Sequence, residues 1–246
     1  MTEGSHRFGP HPVIGRFDCS PSPRERAEIE ALAAEIRRAD PRLDATEAFG
    51  EGVTTGLADW PTLHIHTVDK PLQGGSPVMR EHRALLLARE YDMAVIARPT
   101  FDFVRYCRDD LGLGRVEVLV PSPRRGRLAV RALRDEALCR RVARVARIAG
   151  GLNVVPYQAT GGVWALAGRT HRWAGVPVHV GAPPPRLAAA VNNKIWFSTW
   201  VARLLGDRAL PPTTSASSWA HLADRVRRLA RRNGKVGIKL PSAAGS

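Results

Sequence analysis

Apolar and polar positions fall into two regimes along the chain. Residues 1–58 are irregular, with Pro10, Pro12, Pro21 and Pro23 interrupting any period. Within them one helical pattern spans 23–40, where Ile29, Leu32, Ala33 and Ile36 share a face. From residue 61 to about 185 the pattern alternates between strand and helix. Strands are predicted over 63–68, 93–97, 116–120, 152–156 and 176–180. Helices are predicted over 77–91, over 101–111 with Gly112 suited to the C-cap, and over 134–149 closed by Gly150 and Gly151. The runs Met93-Ala-Val-Ile-Ala97 and Val116-Glu-Val-Leu-Val120 are what a sheet covered on both faces requires. Helices between such strands imply crossovers, and hence a Rossmann-like, mostly parallel α/β sheet.

The C-terminal stretch has a different rhythm. Gly181-Ala-Pro-Pro-Pro-Arg186 leads to Val191-Asn-Asn-Lys-Ile-Trp-Phe197, and a helix is expected from Lys194 to a stop at Gly206. Its apolar face would hold Phe197, Val201, Leu204 and Leu205. Leu210-Pro-Pro-Thr-Thr214 turns the chain into a second helix over 218–232, which stops at Asn233-Gly234. A strand over 236–240 and the small-residue loop Pro241-Ser-Ala-Ala-Gly-Ser246 follow.

With 246 residues the chain is one large domain or two small ones. An apolar fraction of 44% is ordinary for a globular protein, and no apolar run approaches the roughly 18 residues of a membrane span. Cys19, Cys107 and Cys139 are widely spaced, against a disulfide scaffold or a structural zinc site. The N-terminus has no apolar signal core, so a cytoplasmic location is the expectation.

The net charge of +14 invites a nucleic-acid reading. Only Lys70, Lys194, Lys235 and Lys239 of the 37 basic residues are lysines, a bias that matches a GC-rich coding sequence as well as it matches selected contacts. In the second C-terminal helix Leu222, Val226 and Leu229 form one stripe, and Arg225, Arg227, Arg228, Arg231 and Arg232 fall mostly elsewhere. Arg134, Arg140, Arg141, Arg144 and Arg147 occupy another predicted helix. A solvated surface is favoured over a nucleic-acid groove, since no helix-turn-helix, zinc-finger or RNA-recognition signature accompanies them.

Most other candidate chemistry reads as structural. Gly50-Glu-Gly-Val-Thr-Thr-Gly56 has phosphate-loop glycines but neither a strand before it nor a clear helix after it. His64 and His66 lie two apart on a strand and share a face. A metal pair would need a third ligand, and satisfied structural histidines are favoured. Ser76 lacks a Gly-x-Ser-x-Gly elbow, and Cys107 and Cys139 read as small core residues. Lys194 and Lys239 stand out in a chain that otherwise uses arginine. A lysine ending a strand before a small-residue loop is placed either to meet phosphate oxygens or to sit on an edge surface.

The order Asn192-Asn-Lys194, helix, Leu205-Gly-Asp-Arg-Ala-Leu-Pro-Pro-Thr213, helix, Gly237-Ile-Lys239 and then a small-residue loop resembles the opening of an ATP-grasp fold. The preceding region resembles the pre-ATP-grasp domain of such ligases. Its wording is closest to peptide-forming carboxylate–amine ligases. The resemblance implies an irregular extension over 1–58, a pre-ATP-grasp α/β domain over 59–190 and an incomplete α+β ATP-grasp N-terminal subdomain over 191–246. It implies that Lys194, Lys239, Ser242, Gly245 and Ser246 contact ATP, with the lid over the phosphates beginning at 241–246. The partners implied are ATP, a carboxylic acid and an amine, joined through an acyl phosphate. The family binds magnesium in a later subdomain, whereas after Lys194 the only acids are Asp207 and Asp224. Mg2+ is therefore expected only with a missing C-terminal half, encoded downstream or separately, and this fragment is expected to be inactive alone. The alternative is a non-catalytic basic α/β module for nucleic acid or another anionic partner.

Overall fold

The computed structural model describes residues 20–66 and 80–241. Two compact units divide between Asp40 and Pro41. The first contains α1 (Pro23–Ala39), opened by a capping box in which the Ser22 hydroxyl and the Glu25 carboxylate each satisfy the other's backbone N–H. None of its residues is buried.

The second unit is built on one sheet of six strands, all parallel: β1 (Val53–Thr55), β2 (Thr62–Ile65), β3 (Met93–Val95), β4 (Glu117–Leu119), β5 (Leu152–Pro156) and β6 (Val178–Val180). Their spatial order is β1-β6-β5-β2-β3-β4. The sequence boundary at 58/59 therefore differs from the structural one. Residues 53–55, counted with the irregular extension, supply an edge strand too short to announce itself by alternation.

Register assigns the two faces of the sheet. Leu63, Ile65, Met93, Val95, Leu152, Val154, Val178, Val180 and Val53 point one way. They pack in one core with α4 (Leu128–Arg134), α5 (Glu136–Ala149) and α6 (Gly161–Ala174). On the opposite face, Ala94 and Ile96 join Ala84 and Leu85 of α2 (Arg83–Leu87), with Phe103 and Val104 of α3 (Phe101–Arg105) against them. Over β2, β5 and β6 this second face turns polar, carrying His64, Asn153 and His179. The buried Asn153 amide binds the backbone of Ala58 and Trp60 at 2.8–2.9 Å, fixing the connection between β1 and β2.

Several helices differ from the sequence reading, each for a local reason. The predicted 77–91 helix ends at Leu87. The Asp92 carboxylate takes the Arg89 N–H at 2.8 Å, and Tyr91 adopts a positive φ of 72°. The 101–111 helix relaxes into a π turn at Tyr106–Asp110, where the Leu111 N–H reaches the Tyr106 carbonyl. The 134–149 helix begins at Glu136, because Asp135 leaves helical geometry to cap α5 through the Leu138 N–H at 3.0 Å, and α4 just before it has no counterpart in the sequence reading. Helix α6 has no counterpart in the sequence reading. The strands at 93–97, 116–120 and 176–180 keep their cores and lose one or two terminal residues.

The C-terminal stretch forms α7 (Pro185–Val191), α8 (Lys194–Leu205) and α9 (Trp219–Asn233). Helix α8 ends at Gly206 as expected, but its apolar face is not buried: Phe197, Leu204 and Leu205 are exposed. The strand expected at 236–240 is irregular chain without a sheet partner among the described residues. A strand exists only through its ladder, and apolar pattern alone cannot supply one.

Arginine stitches loops to helices rather than only coating the surface. Arg131 donates to the carbonyls of Pro121 and Pro123, Arg147 to Trp173 and Ala174, and Arg169 to Leu133. Arg140 and Arg169 also lie over the Trp173 ring, at 5.7 and 4.4 Å.

Gly168 marks where α6 meets the 3₁₀ turn Glu47–Phe49. A Cβ there would stand 2.5 Å from the Phe49 carbonyl oxygen, whereas one at Gly161 would meet nothing within 4 Å. Gly168→Ala is therefore expected to destabilise the fold by about 1–3 kcal/mol, and Gly161→Ala to leave it unchanged or stabilise it by about 0.5 kcal/mol. Urea unfolding of the two variants checks the contrast.

Candidate functional site

The strand order reverses between β2 and β5. The chain leaves β2 through α2, which packs on the second face, and leaves β5 through α6, which packs on the first. Departing crossovers thus separate at the carboxyl ends of these two strands, the place where open α/β sheets bind ligands. The Tyr157 N–H bonds the Ile65 carbonyl at 3.1 Å, extending the β2–β5 ladder so that Tyr157 stands beside His66. Their ring centroids are 6.2 Å apart.

Alternation in Thr62-Leu-His-Ile-His66 sends Leu63 and Ile65 into the core and both histidines to the other face. His64 is satisfied on one side, with its Nε2 3.3 Å from the Asp92 carboxylate. Burial pushes the Asp92 carboxyl up, but hydrogen bonds from His64 and from the Arg89 and Thr62 amides outweigh it and hold the group below its usual range. His66 is different. It is only 4% exposed, and neither ring nitrogen has a hydrogen-bond partner among the described residues. This corrects the expectation of two satisfied structural histidines. Burial, with His64 and Arg83 adding repulsion, pulls the His66 imidazole down to about 4, so the ring is neutral near pH 7.

Arg83, from the first turn of α2, reaches over the same strand ends. Its guanidinium carbon lies 4.0 Å from the Tyr157 ring centroid and its Nε donates to the Arg80 carbonyl at 3.1 Å. Its Nη2 is buried without a partner, and no carboxylate pairs with it among the described residues. Sequence reasoning found the two histidines by their spacing but missed Arg83 and Tyr157, since neither lies in a motif. The available signal was topological: both follow or face the carboxyl ends of the two central strands.

The lysines singled out by sequence lie elsewhere. Asn193 caps α8 by accepting from the Ile195 and Trp196 amides at 3.0 and 3.3 Å, which sets Lys194 at the helix start. The Lys194 N–H bonds the Pro241 carbonyl at 2.8 Å, and its ammonium lies 3.3 Å from the Leu240 carbonyl. The fold therefore brings Lys194 to the segment that carries Lys239, across 45 positions of sequence. Lys239 itself is exposed on irregular chain, not inside a strand. Ser242, Gly245 and Ser246 lie outside the described residues, as do Lys70, Ser76 and Cys19. Cys107 and Cys139 are buried, and burial raises both thiols, as suits core residues.

No group of three or more His, Cys, Asp or Glu side chains is placed to hold a metal ion among the described residues. No described helix is long and apolar enough to cross a membrane.

Residues 81–171, from α2 through most of α6, match the family model of the Pre ATP-grasp domain. That span is similar to the pre-ATP-grasp domain, which precedes the ATP-grasp fold in such ligases. No curated protein and no solved structure matches the chain. The matched span contains β3, β4 and β5 with Arg83 and Tyr157, while β2 and its histidines precede it.

The depressed imidazole has a consequence for stability. Between pH 6.5 and about 4 the unfolded chain binds a proton at His66 that the folded chain refuses. Stability is fully present above that window and is lost as pH falls through it. Urea unfolding is expected to show a loss from this residue of about 2 kcal/mol between pH 7 and pH 5. In His66→Gln, which cannot titrate, the drop over this interval shrinks accordingly.

Proposed function

We propose that this chain is the N-terminal portion of an ATP-dependent carboxylate–amine ligase of the peptide-forming kind. An oxygen of the acid substrate attacks the γ-phosphorus of ATP, the bond to the β,γ-bridging oxygen breaks, and ADP leaves. An amine then attacks the acyl carbon of the resulting acyl phosphate. Inorganic phosphate departs, the nitrogen loses a proton and an amide remains. Such chemistry asks the protein mainly for positioning and for neutralisation of phosphate charge. In this reading Lys194 and Lys239 serve as point charges toward the triphosphate, with Ser242, Gly245 and Ser246 on the loop beside it. Magnesium ligands are assigned to a second subdomain, continuous with this chain or encoded apart from it.

The observation that carries the reading is sequential and spatial together. A pre-ATP-grasp domain over 81–171 is followed by a helix whose opening lysine is bonded to residues 240 and 241, next to Lys239. A basic binding module remains the competing class, motivated by the net charge of +14.

Displacement of a fluorescent ATP analogue by ATP tests the assignment. The intact chain is expected to bind, and Lys194→Ala and Lys239→Ala are each expected to weaken binding by roughly tenfold, the size of one lost charge-assisted contact. Undiminished binding in both variants overturns the lysine assignment. Absence of nucleotide binding, together with oligonucleotide binding that weakens steeply with salt, favours the basic module.

A further inference from the structure

Three polar features converge where the strand order reverses, and the lysine neighbourhood uses none of them. His66 is buried with two unmet nitrogens; Arg83 holds a buried, unmet guanidinium nitrogen; Tyr157 stands against both. Leaving such groups unpaired in a buried setting costs stability, and a charged one costs the most. A fold that keeps them beside one another in a ligand-binding position of the sheet has a use for them.

The chemistry selects the ligand. Arg83 carries a fixed positive charge and presents only donors, so its partner is an acceptor and an anion. A neutral imidazole offers one N–H to the same anion. A metal ion is disfavoured by the adjacent guanidinium, and His64, the nearest second imidazole, already faces Asp92. One formal positive charge matches one negative charge. A phosphate dianion would bring a second charge with no counter-charge, which is expensive in a buried setting. A carboxylate has the planar two-oxygen geometry that a guanidinium fork accepts. Arg83 is partly exposed and Tyr157 is exposed, whereas His66 is buried.

We propose that the carboxyl ends of β2 and β5 form a binding site for the carboxylate of a small molecule, held by the Arg83 guanidinium and the His66 imidazole, with Tyr157 supporting the arginine from its ring face. The binding requires neither ATP nor turnover, so it stands apart from the ligase assignment. Only the further identification of the bound group as the acid substrate rests on that reading.

The test uses N-acetylglycine as probe and the ring nitrogens of His66 as reporter, in the full chain labelled with ¹⁵N-histidine. Saturable movement of the His66 signals is expected, with the imidazole titrating above its ligand-free value of about 4 once the anion is beside it. N-acetylglycinamide, which lacks the carboxylate, is expected to leave the signals in place. Inorganic phosphate and chloride at matched ionic strength are expected to move them less. Arg83→Gln is expected to weaken N-acetylglycine binding by about tenfold or more. It also raises the ligand-free His66 titration, because a repelling charge has gone. If Arg83→Gln does not fold, Arg83→Lys keeps the charge without the fork and is expected to bind at an intermediate strength. Unmoved His66 signals, an equal response to chloride or to the amide, stronger binding of phosphate, or full affinity in the arginine variant would each overturn the proposal. None of these outcomes bears on nucleotide binding at Lys194 and Lys239, so the two assignments fail separately.

Discussion

Pairing of β2 with β5 is the constraint on which the second unit depends. Every other strand is added outward from that pair, β3 and β4 on one side and β6 and β1 on the other. Right-handed crossovers from two central strands that grow apart must leave by opposite faces. Leu63 and Ile65 of β2 and Leu152 and Val154 of β5 are committed to the first core, where α4, α5 and α6 cover them. What remains for the other face at the junction is mostly polar: His64, His66 and Asn153, with Val155 in register beside His64. The chemistry gathered at the junction thus follows from one choice of strand order and one alternating pentapeptide.

The high positive charge is spent in more than one way. Arginines close the carbonyls of connecting segments in Arg131, Arg147 and Arg169, and they stack on Trp173. Others pair along helices, as in Arg24 with Glu28 and Arg228 with Asp224, where solvent leaves each pair worth little. Arginine suits the first role because its planar fork serves a carbonyl without needing a counter-ion. Net charge is therefore a poor guide to partners here, and the informative cation is the one whose donor is buried and unmet.

Much of the fold was legible. Apolar runs located five of the six strands, and the alternation of strands with helices implied the parallel sheet. The misses have physical causes. Helix α6 begins with Gly161 and Gly162 and contains Gly168, a composition of low helix propensity, yet close approach to Phe49 and the buried Trp164 hold it in place. Strand β1 owes its existence to β6 rather than to its own pattern. Residues 236–240 have a strand's pattern but no ladder. Of the site, the shared face of His64 and His66 could be read from their spacing. The unmet nitrogens of His66 could not, because satisfaction depends on neighbours remote in sequence.

The account turns on the junction of β2 and β5 being a built ligand site rather than a seam in the core. A crystal structure of the full chain grown with N-acetylglycine tests this most directly. It should show the carboxylate oxygens within hydrogen-bond distance of Arg83 Nη2 and a His66 ring nitrogen, with the strand order unchanged. A structure in which His66 and Arg83 turn to other protein partners, and the strand ends close over one another without the ligand, would contradict it.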